Sequence, residues 1–319
     1  MTGFPSMSPS TRIYIAGHRG LVGSALWRHF LQHGFENLIG LGSSELDLRD
    51  AHATATFFRD ARPEVVIDAA ARVGGIAANA RRPVDFLSDN LRIQLNLLDS
   101  AVSNGVERFL FLGSSCIYPK FAAQPIPEEA LFTGPLEETN EGYAVAKLAG
   151  IAQVTAIRKQ HGLPYISAMP TNLYGPGDNF SLHDGHVVPA MIRRFHEAML
   201  AEVPFVTCWG TGMPRRDLMY VDDAADAFHF LLDHYDGERP INVGSGSDVT
   251  ISEIARIIAD TVGYRGEIRW DESGPDGTPR KLLDIQRLAD LGWSAKTPLA
   301  EGIRTTYDWF LAHRDTYRH

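Results

Sequence analysis

The stretch RIYIAGHRGLVGSAL (residues 12–26) decides the fold. Its apolar first third predicts a buried strand, and its last third predicts the start of an amphipathic helix. Between them, Gly17, Gly20 and Gly23 follow a G-x-x-G-x-x-G spacing. Glycine permits the tight turn and lets the backbone approach a pyrophosphate, whose charge is favoured at a helix N-terminus. The alternative is a glycine-rich turn without a ligand, but a strand, a glycine loop and a helix in this order favour a dinucleotide-binding unit.

The residues around this loop indicate which dinucleotide binds. A unit that binds NAD has an acid at the end of its second strand, where the carboxylate accepts from the ribose 2′-hydroxyl. Here the second predicted strand (37–42) is followed by no acid until Glu45. Arg19 lies inside the glycine loop, and its guanidinium suits a 2′-phosphate. The sequence therefore favours NADP, with NADPH as its reduced form. We expect the cofactor to contact Gly17, His18, Arg19, Gly20, Leu21, Val22 and Gly23.

Apolar strands and helices alternate over the first half of the chain. Alternation of this kind predicts an α/β fold, a Rossmann-type doubly wound parallel sheet. The pattern changes near Leu173, which predicts a smaller, interleaved substrate-binding domain. The expected strands are 12–16, 37–42, 64–70, 108–114, 164–172 and 240–246, and the expected helices 21–34, 53–61, 85–105, 141–162 and 189–200. The division this predicts is 1–172 and 217–245 for the NADP-binding Rossmann domain, and 173–216 and 246–319 for the substrate-binding domain.

Composition excludes several classes of function. The chain has 319 residues, of which 44% are hydrophobic and 22% charged, as in ordinary globular proteins. A net charge of −9 argues against nucleic-acid binding, and no apolar run approaches the roughly 18 residues of a membrane helix. Two cysteines without a C-x-x-C pair predict neither a disulfide framework nor a metal site, and they favour a cytoplasmic location. The Pro/Ser-rich residues 1–11 predict a short disordered leader rather than a signal peptide.

Three polar residues predict the reductive chemistry. Tyr143 and Lys147 are four residues apart near the start of a predicted helix, so they lie on one face. A lysine ammonium near a phenol lowers its pKa, and such a tyrosine can protonate a carbonyl oxygen as a hydride reaches the carbon. Ser114, just after the strand 108–114, can hydrogen-bond the same oxygen. A tyrosine on the wet face of an amphipathic helix is the alternative for Tyr143.

With these residues in place, the chain resembles the extended short-chain dehydrogenase/reductase family. Within that family it is similar to the GDP-L-fucose synthase subfamily from about residue 12 to the C-terminus. The segments that carry this resemblance are AARVGGIAAN (70–79), FLGSSCIYPK (111–120), TNEGYAVAKLAGI (139–151), MPTNLYGPGDNF (169–180) and HVVPAMIRRFHEA (186–198).

The resemblance implies a two-part reaction on a GDP-4-keto-6-deoxy-D-mannose substrate. Epimerisation at carbons 3 and 5 is followed by reduction of the ketone by NADPH. The catalytic residues it implies are Ser114, Cys116, Tyr143, Lys147 and His186. Further cofactor contacts would come from Ser114, Lys147, Pro170, Asn172, Leu173 and His186. The positions it implies for the substrate are Arg194, Trp209, Arg216 and Asp276, although a core role for the tryptophan is the plain alternative.

A thiol and an imidazole suit the epimerisation. Protons on the carbons flanking a ketone are acidified, and inversion needs a base on one face and an acid on the other. Ordinary pKa values near 8.5 for cysteine and 6.5 for histidine let both exchange protons near neutrality. Without the resemblance, Cys116 would be interpreted as a small buried hydrophobic residue.

Three other functions are alternatives to this one, and the resemblance also implies an oligomeric state. A GDP-4-keto-3,6-dideoxy-sugar epimerase/reductase, of the colitose type, would share nearly all of these residues. A 4,6-dehydratase would usually carry Thr-Asp-Glu where this chain has SSCIYP (114–119). A catalytically silent NADP-binding regulator would have no need of the Ser-Tyr-Lys set. Family resemblance also implies a homodimer through the helices 85–105 and 143–162.

Overall fold

A computed structural model describes residues 6–182, 185–273 and 276–314 of the chain, without the side chains of residues 76 and 77. Of the expected disordered leader, residues 1–5 lie outside this description. The remainder differs from the expectation, because Met7 packs against the first apolar cluster and the Asn37 amide donates to the Ser10 carbonyl at 2.8 Å. These contacts fix residues 7–11 beside the second strand.

The described part of the chain contains the following strands and helices. The strands are β1 Ile13–Ala16, β2 Leu38–Ile39, β3 Val65–Asp68, β4 Arg108–Leu112, β5 Ile166–Pro170, β6 Asn172–Tyr174, β7 Phe205–Trp209, β8 Arg215–Arg216, β9 Leu218–Tyr220, β10 Ile241–Val243, β11 Val249–Thr250, β12 Glu267–Asp271 and β13 Arg280–Lys281. The helices are α1 Leu21–Gln32, α2 Ala51–Ala61, α3 Ile76–Arg81, α4 Pro83–Ser103, α5 Glu141–His161, α6 Val187–Leu200, α7 Val221–His234, α8 Ile251–Val262, α9 Gln286–Asp290 and α10 Leu299–Ala312.

The central sheet has six strands in the order β10-β5-β4-β3-β1-β2, and every neighbouring pair is parallel. The chain runs outward from β1 to β2 and then crosses back to β3 on the other side. Ligands of such sheets bind outside the carboxyl ends of the strands, at the point where this direction reverses. The predicted Rossmann-type doubly wound parallel sheet is therefore confirmed.

Two apolar clusters cover the two faces of this sheet. Along β1, Ile13 and Ile15 face one cluster and Tyr14 and Ala16 face the other, as the alternation of a strand requires. The first cluster draws on α1 and α7, and the second on α2, α4 and α5. Since every residue of β1 is buried, a continuous apolar run rather than an alternating one identifies the central strands.

A third apolar cluster lies outside the central sheet. It is built from α6, α8 and α10 together with β7, which pairs in parallel with β12. β10, far along the chain, returns to the edge of the central sheet beside β5. The division into residues 1–172 with 217–245 and 173–216 with 246–319 stays a prediction.

One predicted strand divides into two. The apolar run 164–172 forms β5 and then β6, which pairs with β9 in a separate two-stranded sheet. The Thr171 hydroxyl and the Asn172 amide both donate to the Asp217 carbonyl, at 3.1 and 2.9 Å, and these bonds turn the chain out of the central sheet. Among the helices of the described ranges, none is both long and apolar enough to cross a membrane.

Candidate active site

The glycine loop leaves no room for a side chain at Gly17 or Gly23. Gly17 has φ +78°, and a Cβ there would lie 2.7 Å from the Ala69 carbonyl oxygen. A Cβ at Gly23 would lie 2.1 Å from the Gly17 carbonyl oxygen. The first turn of α1 contains no acidic residue, and no side chain caps it. A close backbone approach and an uncapped helix N-terminus suit the pyrophosphate of a dinucleotide.

Arg19 pairs with Glu45 at the side of this loop. Its Nη2 lies 3.2 Å from the Glu45 carboxylate, which also accepts from the Gly42 backbone N–H at 2.7 Å. Both side chains of the pair are exposed. Because exposed ion pairs contribute little free energy, the Arg19 guanidinium can exchange the carboxylate for a 2′-phosphate at small cost.

Ser114 and Tyr143 meet beyond the carboxyl end of β4. Ser114 caps a 3₁₀ turn at Ser115–Ile117, and its hydroxyl accepts from the Cys116 N–H at 3.2 Å. Burial raises the pKa of Tyr143, the charge of Cys116 adds to this, and a hydrogen bond with Ser114 opposes it. The expectation that lysine lowers the pKa of Tyr143 is therefore wrong. Tyr143 is a protonated phenol at neutral pH and can donate a proton.

Lys147 is held beneath Tyr143, one helical turn along α5. Its ammonium donates to the Leu112 carbonyl at 2.8 Å and lies 4.8 Å from the centre of the Phe111 ring. Burial lowers the pKa of Lys147, while the Asp68 carboxylate opposes this. Lys147 is therefore hydrogen-bonded to the end of β4, and its charge acts on the carboxylate of Asp68.

Asp68 is a site residue that the sequence analysis missed. It ends β3, is fully buried, and burial raises its pKa to about 6 against the effect of Lys147. One carboxylate oxygen accepts from the Ala70 N–H at 3.2 Å, and the other has no partner among the described residues. A buried carboxylate beside Lys147 keeps a balancing charge next to the catalytic set.

Cys116 has an unexpected neighbour. The Lys281 ammonium, at the end of β13, lies 3.6 Å from the Cys116 sulfur. Burial would raise the pKa of this thiol, but the Lys281 charge, hydrogen bonds with Ser114 and Lys281, and the charge of His186 outweigh burial and hold the pKa below its ordinary value. Cys116 is a thiol poised to ionise, which is a different state from a packing cysteine.

His186 lies immediately before α6, at the end of the loop that follows β6. Its Nδ1 is 3.9 Å from the carboxylate of Asp178, a buried residue. The polar interaction with Asp178 raises the pKa of His186, burial opposes the rise, and the charge of Cys116 adds to it. Relative to their ordinary values, the surroundings therefore favour loss of the proton from Cys116 and retention of the proton by His186.

The implied substrate residues divide into an inner and an outer part. Arg216 is the inner one: burial lowers its pKa, and the charges of Cys116 and Asp276 oppose this. Its guanidinium donates to the Thr278 carbonyl at 2.7 Å. Asp276 accepts from the Thr211 N–H and hydroxyl, at 2.7 and 2.8 Å. Arg216 therefore lies within reach of the charges of both Cys116 and Asp276.

Trp209 and Arg194 form the outer part. Trp209 is 70% exposed at the end of β7, so the alternative of a core tryptophan is wrong. The Arg194 guanidinium lies 5.9 Å from the indole centre and donates to the Thr207 carbonyl at 3.1 Å. An exposed flat ring beside a fixed arginine suits a purine base and its phosphates.

The structure brings the five implied catalytic residues to one place. The charge of Cys116 acts on Tyr143, His186 and Arg216 together, which requires all of them to lie close to its sulfur. A cleft of about 310 Å³ opens beside Tyr143 between α3 and the start of α5. The remaining implied cofactor contacts lie where β5 passes into β6, namely Pro170, Asn172 and Leu173.

Fold and site together define an NADP-dependent enzyme of the epimerase and reductase type. A family model described as the NAD dependent epimerase/dehydratase family matches residues 13–244. The chain belongs to this family.

Two curated relatives refine this assignment. GDP-L-fucose synthase 1 of Arabidopsis thaliana is 54% identical over 302 residues, which is 95% of this chain and 94% of the relative. A GDP-L-colitose synthase of Yersinia pseudotuberculosis is 38% identical over 306 residues, covering 95% of this chain and 99% of the relative. The resemblance to GDP-L-fucose synthase that the motifs predict is therefore confirmed over nearly the whole chain.

A solved structure supports the same assignment and the cofactor. The crystal structure of a GDP-L-fucose synthetase from Naegleria fowleri bound to NADP aligns with a TM-score of 0.91 at 29% identity. It covers 99% of this chain and 98% of that one. The glycine loop fits the same cofactor, so the predicted NADP is confirmed.

Proposed function

We propose that the chain is a GDP-L-fucose synthase, which converts GDP-4-keto-6-deoxy-D-mannose to GDP-L-fucose with NADPH. The observation that carries this proposal is the second acid–base pair, Cys116 with His186, beside the Ser114–Tyr143 pair. Reduction of a ketone needs only the latter pair. A thiol with a lowered pKa and an imidazole with a raised pKa have a use when carbons next to the ketone must be inverted.

Epimerisation uses the charges that the site already favours. The Cys116 thiolate removes the proton from the carbon beside the ketone, and the electron pair moves onto the carbonyl oxygen as an enolate. Hydroxyl groups of Tyr143 and Ser114 stabilise that oxygen. The imidazolium of His186 returns a proton to the opposite face of the carbon. Carbons 3 and 5 flank the same ketone, so one pair of groups serves both inversions once exchange with water has removed the proton from the thiol and returned one to the imidazole.

Reduction follows on the same carbonyl. Bound NADPH supplies the hydride to carbon 4. The Tyr143 hydroxyl gives its proton to the oxygen, because burial keeps this phenol protonated until the substrate oxygen becomes basic. Lys147 then stabilises the resulting tyrosinate and contacts the nicotinamide ribose. Atoms balance as one hydride and one proton added to the ketone.

The nucleotide end of the substrate meets the outer residues. Guanine packs against the exposed Trp209 ring, and the diphosphate pairs with Arg194 and Arg216. Asp276 orders the loop of residues 209–212 through Thr211. Arg216 lies between this end and Cys116, so it fixes the distance from the diphosphate to the sugar carbons.

A colitose-type reaction is the second candidate, because its substrate differs by one hydroxyl. The 54% identity to a fucose synthase against 38% to a colitose synthase favours the first. Purified chain is given either GDP-4-keto-6-deoxymannose or the 3-deoxy form, with NADPH or NADH. We expect GDP-L-fucose from the first sugar with NADPH. Faster turnover of the 3-deoxy sugar would overturn the assignment, and cofactor binding without turnover of either would leave the silent regulator.

We further propose a cytoplasmic homodimer that binds no nucleic acid and no membrane. The helices α4 and α5 pack on each other beside the second apolar cluster, and both carry exposed apolar side chains. Leu95 is 42% exposed and Val145 is 40% exposed. A second copy of the same helix pair would cover these side chains in a four-helix arrangement. Both cysteines are free, which agrees with a reducing compartment.

A further inference from the structure

Three histidines meet at the end of the first apolar cluster, away from the catalytic set. His29 lies in the last turn of α1, and His33 follows four residues later as the C-cap of that helix. His229 comes from α7, which packs against α1. One ring nitrogen from each lies within 4.8 Å of the other two. The reaction proposed above uses none of them.

The hydrogen bonds around the rings show which nitrogens carry lone pairs. The Nδ1 of His33 lies 2.8 Å from the His29 carbonyl, so it is the protonated nitrogen and Nε2 carries the lone pair. The Nε2 of His229 faces the Asp233 carboxylate at 3.4 Å, so its Nδ1 points at the cluster as an acceptor. That Nδ1 is 2.9 Å from the Nε2 of His29. The cluster therefore holds two nitrogen lone pairs, on His33 and His229, and one proton that His29 shares with His229.

Asp233 supplies a second feature typical of metal sites. A histidine ligand is usually oriented by a carboxylate on its other ring nitrogen. Asp233 does this for His229 from one turn further along α7, and its second carboxylate oxygen is buried without a partner among the described residues. Phe30 and Phe35 pack against the His229 ring, with centroids 4.9 and 5.4 Å away, and fix its plane.

The geometry points to a binding site for one divalent transition-metal ion of the zinc class, held by His29, His33 and His229. Three neutral nitrogen ligands favour Zn²⁺, Ni²⁺ or Cu²⁺ over Mg²⁺ and Ca²⁺, which prefer oxygen. His29 and His229 are mostly buried, whereas His33 is exposed, so the ion enters from solvent past His33 and water completes a tetrahedral shell.

The three rings have to move from their present positions, within 4.8 Å of one another, to form this site. Zn–N bonds of about 2.0–2.1 Å at tetrahedral angles place ligand nitrogens roughly 3.3 Å apart. The His29–His229 pair is 2.9 Å apart and has to open by a few tenths of an ångström. The ion takes the place of the proton that these two rings share, and His29 stays neutral because a proton then occupies its Nδ1. The stacked rings of His29 and His33, with centroids 4.1 Å apart, have to turn toward the same point.

The ion would link α1 to α7 without affecting the proposed reaction. His33 follows Leu21, at the start of α1, by twelve residues, which is about 18 Å along the helix at 1.5 Å per residue. The glycine loop is at the start of this helix and the histidines are at its end. Binding would therefore stabilise the contact between α1 and α7 and leave turnover unchanged, so the inference does not depend on the proposed function.

Metal titration of the untagged, metal-stripped chain tests the inference. Calorimetry with Zn²⁺ should give one site per chain, and Co²⁺ should give the visible bands of a tetrahedral complex with nitrogen ligands and no sulfur-to-metal charge-transfer band. The exposed His33 can be changed with little risk to folding, so His33→Ala is the main variant. It should weaken binding by more than the roughly 10–100-fold that loss of an outer carboxylate costs, and Asp233→Asn should weaken it within that range.

His52→Ala is the matched control, because His52 is an exposed helical histidine on α2. This variant should bind Zn²⁺ as the wild type does. Thermal unfolding adds a second measurement: Zn²⁺ should raise the Tm of wild type and of His52→Ala but not that of His33→Ala. The inference is overturned if wild type binds no Zn²⁺, if His33→Ala binds it with wild-type affinity, or if Co²⁺ shows thiolate ligation at Cys116.

Discussion

At the residue scale, the surroundings shift the pKa values of two side chains of the candidate site in opposite directions. Tyr143 keeps its proton because burial disfavours the tyrosinate. Burial also disfavours the thiolate of Cys116, but a lysine ammonium 3.6 Å from its sulfur, hydrogen bonds with Ser114 and Lys281, and the charge of His186 hold the pKa of this thiol below its ordinary value. In the proposed function, reduction needs an acid at the oxygen and epimerisation needs a base at the carbon, and these two shifts suit both needs.

The first prediction concerns Lys281. Replacing it in Lys281→Met removes the ammonium but keeps an unbranched side chain, so the pKa of the Cys116 thiol rises. Alkylation by iodoacetamide should then reach half its maximal rate at a higher pH than in wild type. Cys208 is 1% exposed and serves as the unreactive internal control. An unchanged pH profile of alkylation would show that Lys281 does not set the thiol pKa.

The second prediction concerns Asp178. Its carboxylate raises the pKa of His186, so Asp178→Asn should lower that pKa. Epimerisation that needs the imidazolium declines as pH rises through this value. The decline should therefore occur at lower pH in Asp178→Asn, and epimerisation at neutral pH should slow. Asp60→Asn, on an exposed ion pair with Arg59, is the control. Identical pH profiles for the two variants would contradict the role of Asp178.

At the element scale, α5 lies close to the sheet because Gly150 faces β4. A Cβ at this position would lie 2.3 Å from the ring of Phe111. The same ring lies 4.8 Å from the ammonium of Lys147. One glycine therefore affects both the packing distance of the helix and the position of Lys147. In the proposed function, tight packing of this helix on the sheet is a condition for placing the lysine.

The third prediction is that Gly150→Ala destabilises the protein despite better helix propensity. Propensity favours alanine by about 1 kcal/mol, whereas forcing a methyl group against Phe111 costs about 1–3 kcal/mol. We expect the free energy of unfolding to fall by up to about 2 kcal/mol in urea titrations, and kcat to fall because Lys147 is displaced. Gln160→Ala, at an exposed position of the same helix, should stay within about 0.5 kcal/mol of wild type. A stabilised Gly150→Ala would refute this account of the packing.

Local spacing explains what the sequence could predict. The glycine loop and the Tyr143–Lys147 pair are each contained in a few residues, so their geometry follows from one turn and one helix. Asp68 and Lys281 could not be found this way, because they reach the site through tertiary contacts. Lys281 arrives on β13, which pairs with β8 and not with a neighbour in sequence. The prediction of one strand over residues 164–172 is wrong for the same reason, because hydrogen bonds to the Asp217 carbonyl turn the chain out of the central sheet there.

At the scale of the whole molecule, the site lies where two sets of elements meet. Ser114 follows β4 of the central sheet, and Tyr143 and Lys147 lie near the start of α5, which packs on that sheet. His186 precedes α6, and Lys281 ends β13, both outside that sheet. In the proposed function, epimerisation therefore needs the two sets to be held together, whereas the residues proposed for reduction come from the central sheet and a helix packed on it. The arrangement predicts that epimerisation is lost more easily than reduction.

The fourth prediction concerns assembly. Val145→Asp places a charge on the exposed apolar face of α5, and a charge buried in an interface costs several kcal/mol unless it is paired. Light scattering after size exclusion should give a dimer for wild type and a monomer for this variant. Leu200→Glu, on an exposed position of α6, should remain dimeric. A monomeric wild type, or a dimeric Val145→Asp, would contradict an interface through α4 and α5.

The central claim is that one site both inverts the carbons beside a ketone and reduces it, with Cys116 as the base. Deuterium wash-in separates these steps: the chain is incubated with GDP-4-keto-6-deoxymannose in D₂O without NADPH, and exchange at carbons 3 and 5 is followed by NMR. Wild type should exchange both positions, Tyr143→Phe should exchange more slowly, and Cys116→Ser should lose exchange while still reducing the unepimerised sugar when NADPH is added. No exchange in wild type, or exchange in Cys116→Ser at the wild-type rate, would contradict the claim.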